Sequence, residues 1–147
     1  MSELHDALRL ELGDWTQLQH DAKAIRFEVF VDEQKVPAEI ELDEMDAQSL
    51  HAVAYDQQGR ALGTGRLLPD GHIGRMAVRK MARGAGVGGA LLQALMAQAR
   101  QRGDVQVVLN AQTNAAAFYA QFGFAVVGPE FESAGIPHVE MQYQFPR

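Results

Sequence analysis

The chain has no cysteine among its 147 residues. Disulfides, thiolate metal sites and a cysteine nucleophile are therefore excluded, and a cytoplasmic location is expected. No apolar run approaches the ~20 residues that a membrane-spanning helix needs, so no membrane partner is expected. The opening Met1-Ser2-Glu3-Leu4-His5-Asp6 lacks the basic and apolar segments of a secretory leader, and no signal peptide is expected. Basic residues form no long stripe and the formal net charge is −6. That balance argues against nucleic acid, whose binding rests on neutralising phosphates. No internal repeat, low-complexity tract or Pro/Gly/Ser linker interrupts the chain. No two histidines stand at ligand spacing, so no metal site is expected.

What is present suits a packed core. Hydrophobic residues make up 47% of the chain, and a domain of this length buries roughly 70% of the surface its unfolded chain exposes. One domain over residues 1–147 is expected. Residues 7–12 alternate apolar and polar side chains and predict a first strand. Asp14 or Thr16 can cap a helix carrying Trp15, Leu18, Ala22, Ile25 and Val29 to about Val31. Residues 35–49 are polar and acidic, with Pro37 predicting a short helix or loop. Glu39, Glu41, Asp43, Glu44 and Asp46 there read as a solvated loop; the sharper alternative is a lure for a cationic amine.

Strands are predicted over 50–55, 61–68 and 72–78, separated by Asp56-Gln57-Gln58-Gly59 and Pro69-Asp70-Gly71. The run 86–102 predicts a helix with Val87, Leu91 and Leu95 on one face, stopped by Gly103. Residues 105–109 read as a buried strand, 114–121 as a short helix, and 124–127 and 139–143 as closing strands. The strand–helix–strand unit around 73–109 implies a right-handed crossover and a parallel pair inside an otherwise antiparallel sheet. The fold class expected is α+β.

The stretch Val78-Arg79-Lys80-Met81-Ala82-Arg83-Gly84-Ala85-Gly86-Val87-Gly88-Gly89 ends a strand, adds basic residues and opens a helix on glycines. Unsatisfied N–H groups, the helix dipole and the missing Cβ atoms make such a place an anion site. A Walker A loop is excluded, because no Lys-Ser or Lys-Thr follows the glycines. Gly84-Ala85-Gly86-Val87-Gly88-Gly89 satisfies the dinucleotide pattern, but five residues separate it from Val78, and Asp104 begins the next strand instead of ending it. The third option is a loop for the pyrophosphate of CoA. Arg83-x-x-Gly86-x-Gly88, spaced this way from Val78, resembles the signature of the GNAT superfamily of N-acetyltransferases.

A second stretch carries the same resemblance. Ala115, Phe118, Tyr119, Gly123 and Phe124 fall on the superfamily's Asn-x-x-Ala-x-x-[Phe/Leu]-Tyr-x-x-x-Gly-Phe, with Gln112 in place of the leading Asn. Weaker matches to the small ElaA-like branch lie in Arg26-Phe27-Glu28-Val29-Phe30-Val31-Asp32-Glu33-Gln34, Gly63-Thr64-Gly65-Arg66-Leu67 and Gly135-Ile136-Pro137-His138.

The resemblance implies a single GNAT-like domain with helices on both faces of a mixed sheet, using acetyl-CoA as acyl donor. It implies that Met76, Ala77 and Val78 line the pantetheine arm by their backbone and that Arg83, Gly84, Ala85, Gly86, Val87, Gly88 and Gly89 take the pyrophosphate. Gln112 would contact the arm, with Asn110 or Asn114 able to substitute. Tyr119 would protonate the departing thiolate. The general base stays open between Glu33, His72 and His138, whereas His51, inside a strand, is expected to be structural. Arg26, Phe30, Glu33, Arg66 and Arg75 are candidate acceptor contacts. Arg66 and Arg75 lie on adjacent predicted strands, where they could clamp a carboxylate or serve a structural role. The activity implied is acetyl transfer to the primary amine of a small molecule or peptide. A non-catalytic CoA-binding sensor or regulatory module is the alternative, and an acyl-homoserine lactone synthase-like enzyme a further one. An exposed strand edge would offer a surface for a homodimer.

Overall fold

The structure, a computed structural model, describes residues 8–146. Ala7, expected to begin the first strand, and the opening Met1–Asp6 lie outside them.

β1 (Arg9–Gly13) leads into α1 (Trp15–Arg26). Of the two expected caps the helix uses Asp14, whose carboxylate accepts from Gln17 N at 2.9 Å while Gln17 Oε1 accepts from Asp14 N at 3.0 Å. The expected helix does run on, but as a wider π-helical turn, Phe27–Glu33. Widening keeps Val29 in the buried stripe with Leu18, Ala22 and Ile25 while Phe30 and Gln34 reach a cavity. Residues 35–49 hold both a short helix, α2 (Ala38–Glu41), and a 3-10 turn (Glu44–Gln48).

β2 (Leu50–Tyr55), β3 (Ala61–Leu67) and β4 (His72–Val78) form the expected antiparallel meander. α3 (Val87–Gln101) crosses over to β5 (Gln106–Gln112), which pairs parallel with β4. A 3-10 turn (Thr113–Ala115) precedes α4 (Ala116–Ala120). The chain closes with β6 (Ala125–Val126), β7 (Phe131–Ser133) and β8 (Ile136–Gln144). The sheet order is β1-β2-β3-β4-β5-β8, with β6 and β7 sharing the outer edge of β8. The fold is thus the α+β class expected, with one parallel pair in a mostly antiparallel sheet. β7 is an addition: Gly135, at φ 76, turns it back onto β8. His138 consequently lies within β8.

Helices cover both faces, and the strands alternate between them as a period of two requires. Ala52 and Ala54 join the core beneath α3, whereas Val53 and Tyr55 join the one beneath α1. α3 buries Val87, Leu91, Leu92, Leu95 and Ala99, each leucine contributing about 1.5–3 kcal/mol. Among the described residues, no helix is long and apolar enough to cross a membrane.

The acidic segment departs most from expectation. Glu39 and Glu44 are exposed, as read, but Glu41 and Asp46 are buried and, with Asp43, form half of an ion cluster. Arg26, 1% exposed, donates from Nε to Glu41 Oε1 at 2.7 Å and from Nη1 to Asp46 Oδ1 at 2.8 Å. Its Nη2 takes the Glu41 carbonyl at 2.8 Å. Arg66 donates to Asp43 Oδ1 at 2.7 Å and to the same Asp46 Oδ1 at 2.8 Å. His51 is structural, as expected: its Nε2 contacts the Asp46 carbonyl at 2.9 Å and its ring lies 4.8 Å from Trp15.

Hydrogen bonds from Arg66 hold the Asp43 carboxyl below its ordinary range. Burial pushes Asp46 up, but Arg26 and Arg66 outweigh it and the net shift is down. Burial dominates at Glu41, which is raised. The two depressed aspartates stabilise the fold above their unfolded pKa of about 3.9 and lose that contribution as pH falls through their folded values. Glu41 has the opposite sign and offsets part of the loss. Asp46→Ala leaves two buried guanidinium groups short of a counter-charge and is expected to cost about 3–5 kcal/mol. Urea unfolding at neutral pH checks this, and a change below about 1 kcal/mol contradicts the cluster's assigned role.

Candidate active site

β4 and β5 pair only at His72↔Val108 and Ile73↔Leu109. Beyond these they diverge, and the β5-facing edge of residues 74–78 has no strand partner. A cavity of about 530 Å³ opens in the wedge. Met76, Ala77 and Val78 line one wall, Asn110, Gln112 and Tyr119 the other, and Phe30 and Gln34 close it from the π-helical turn. Gln112 donates from Nε2 to Gln34 Oε1 at 2.8 Å, tying the two sides together.

Tyr119 sits in an aromatic group, edge-on to Phe118 at 5.1 Å and to Phe124 at 6.1 Å. Burial alone pushes its phenol up to about 12, so the hydroxyl keeps its proton throughout the neutral range. His138 reaches the cavity from β8, opposite Gln112 in register. Its Nδ1 lies 2.7 Å from the Ile136 carbonyl, which can only accept; Nδ1 therefore carries the hydrogen and Nε2 the lone pair of the neutral ring. Phe131 stacks on the ring at 5.8 Å. His72 also lines the cavity, with Nδ1 3.0 Å from Asp70 Oδ1.

Two of the sequence candidates do not line this cavity. Glu33 is absent from the cavity wall and is gripped by Arg83 through two bonds of 2.7 Å. The hydrogen bonds from Arg83 hold its carboxyl below the ordinary range, which makes it a weak proton acceptor. Arg26 is sealed in the ion cluster and does not reach the cavity. Arg66 and Arg75 do line it. Asn110 is on the wall, whereas Asn114 and the loop 83–89 lie outside it, the loop joining through Val78. The sequence reading overlooked Gln34, Ile40 and the β7 turn at Ser133–Ala134, which also line the cavity. Only Gln34 had a signal, its place in the Arg26–Gln34 stretch.

Residues 16–145 match the acetyltransferase (GNAT) domain family. The chain belongs to the GNAT acetyltransferases. It is 46% identical over 125 residues to the uncharacterized N-acetyltransferase YjcF of Bacillus subtilis, covering 82% of this chain and 89% of that one. An acyl-CoA N-acyltransferase from Pseudomonas aeruginosa superposes with a TM-score of 0.80 at 33% identity, over 92% of this chain and 98% of that one. Escherichia coli ElaA does so with a TM-score of 0.84 at 26% identity, over 92% and 99%. GNAT membership implies an acyl-CoA donor.

In this GNAT chain the glycines of the loop divide by cause. Gly84 and Gly86 have φ of 83° and 85°, the left-handed region that disfavours a Cβ. Gly86 caps α3, and the N–H groups of Val87, Gly88 and Gly89 fall outside the helical ladder. Gly89 answers to packing: a Cβ there would meet Phe122 Cζ at 2.9 Å. Of the basic residues expected to charge this end, Arg79 is held by Glu28 at 2.9 Å and Arg83 by Glu33. Gly89→Ala is expected to lose about 1–3 kcal/mol through overpacking against Phe122. Thermal unfolding checks it, and an unchanged midpoint would leave anion approach as the reason for that glycine.

Proposed function

We propose that the chain transfers an acetyl group from acetyl-CoA to a primary amine of a small molecule or peptide by direct attack through a tetrahedral intermediate. The observation that carries this is the wedge between β4 and β5. It offers an unpaired backbone edge on one side and a protonated tyrosine on the other, and it lies beside a glycine-capped helix start.

At pH 7 an alkyl amine is only about one part in a thousand neutral, so a proton must be removed before attack. His138 Nε2 is the acceptor assigned here, with His72 the second ring on the same wall. The free amine nitrogen then bonds to the thioester carbonyl carbon. Backbone N–H groups on the open edge of Met76–Val78 stabilise the developing oxyanion. As the carbonyl re-forms and the C–S bond breaks, the Tyr119 hydroxyl gives its proton to the departing thiolate, and the second proton of the attacking nitrogen passes to the Tyr119 oxygen, leaving a neutral amide and a thiol. The amides at the start of α3 bind the pyrophosphate.

Calorimetric titration with acetyl-CoA, with NADH as control, tests the binding half. Saturable acetyl-CoA binding that collapses in Gly86→Glu is expected, and binding of NADH in its place overturns the reading. For the chemical half, Tyr119→Phe is expected to lower kcat by about 10²–10⁴ on amines acetylated by the unaltered chain. An unchanged kcat and pH profile removes Tyr119 from the mechanism. Acetyl-CoA binding without turnover of any amine leaves a CoA-binding module.

Glu33 bears on the donor. With both partners of the Glu33–Arg83 pair 39% exposed, the pair is worth at most about 1 kcal/mol. An incoming pyrophosphate must displace it. Glu33→Gln is therefore expected to tighten CoA binding by up to about fivefold and to leave pantetheine, which has no pyrophosphate, unaffected. Equal effects on both ligands would refute the competition.

A further inference from the structure

Arg66, His72 and Arg75 share one stretch of the cavity wall, where β3 faces the first half of β4. Thr64 pairs with Ala77 and Arg66 with Gly74, so Arg75 and Met76 together stand opposite Gly65. This bulge holds Arg75 at φ 52, a conformation disfavoured for any residue with a Cβ. Bulges re-aim side chains, and here the side chain re-aimed is a guanidinium that remains 30% exposed.

Its bonds are long. Nε donates to the Glu41 carbonyl at 3.2 Å, and Nη2 contacts the Ile40 carbonyl at 3.5 Å and Asp43 Oδ2 at 3.3 Å. The Glu41 carboxylate lies 3.6 Å from Nε. Arg75 Nη1 has no acceptor among the described residues. Arg66, 6% exposed on the same wall, has a buried Nε with no acceptor either. Burial, reinforced by Arg66 and Arg26 and partly countered by Glu41, lowers the Arg75 pKa, a balance that a nearby anion would relieve. Of the six charges of this cluster and Arg75, the cavity lining includes two arginines and only one carboxylate, Glu41.

We propose that this stretch is a carboxylate subsite for the acyl acceptor, with Arg75 holding the carboxylate and Arg66 behind it. The acceptor is then an amino-acid-like amine, and diamines are disfavoured because a second ammonium would face two guanidinium groups. A guanidinium with Nη1 unpaired and only long bonds on Nη2 can turn its Nη1–Nη2 edge to a carboxylate. This inference rests on the acetyl-transfer reading above.

The test uses matched amines that differ only in carboxylate against carboxamide, together with a diamine series. The unaltered chain is expected to favour the carboxylate member roughly 10- to 100-fold in kcat/KM, chiefly through KM. In Arg75→Gln that ratio is expected to fall towards one, with Arg75→Lys recovering part of it. A merely structural strap would lower both members of a pair together and leave the ratio intact. A carboxamide or diamine used as well as the carboxylate by the unaltered chain overturns the proposal while acetyl transfer stands. If no amine in any series turns over, the acetyl-transfer reading fails. The subsite is then read by calorimetry on the CoA-saturated chain, comparing N-acetyl amino acids with their carboxamides. Equal affinities overturn it, and tighter carboxylate binding lost in Arg75→Gln supports it.

Discussion

Arg26 and Arg66 share one carboxylate oxygen of Asp46, and much of the cavity's shape depends on that shared atom. Arg26 ends α1 and Arg66 belongs to β3, while Asp46 and Glu41 lie in the segment running from α2 through the 3-10 turn. The cluster therefore fixes the end of one helix, one strand and one irregular segment relative to each other. Buried charges of this kind add little net stability against an apolar core of equal shape. Their directional bonds do hold a backbone that has few ladder bonds of its own. Ile40 and Glu41 are thereby kept at the mouth of the cavity.

The second constraint is the early parting of β4 from β5. A fully paired strand would have its N–H and C=O groups consumed on both edges. Two paired positions followed by divergence leave one edge of the strand end without a strand partner. The bulge at Arg75 lies just beyond the last paired residues, so the same few positions break the ladder, expose backbone donors and turn a guanidinium into the opening.

What could be read in advance follows the range of the forces involved. β2 and β4 have the expected limits, because alternation and flanking turns are local signals. The glycine loop and Tyr119 were found through motifs, which compress long-range geometry into short spacing. The ion cluster was missed: the partners of Arg26 and Arg66 lie 15 to 23 residues away in no periodic pattern, so Asp46 looked like any surface acid. The pairing of Glu33 was not legible for the same reason, since Arg83 is 50 residues away. β7 has three residues and is exposed throughout, too short for alternation to show. The widened turn after Arg26 carries no glycine or proline, and nothing local marks where the register changes.

The contact between Arg83 and Glu33 bears on how the chain responds to ionic strength. An ion pair that a free basic residue makes with a diphosphate in open solvent is screened by salt, and its contribution to affinity falls with ionic strength. Arg83 is already neutralised by a carboxylate held to both of its terminal nitrogens. Passing that guanidinium to a phosphate exchanges one anion for another, and salt weakens both states alike. Donor capture at this loop would then be buffered against changes in salt, with backbone amides and not free cationic charge setting the affinity.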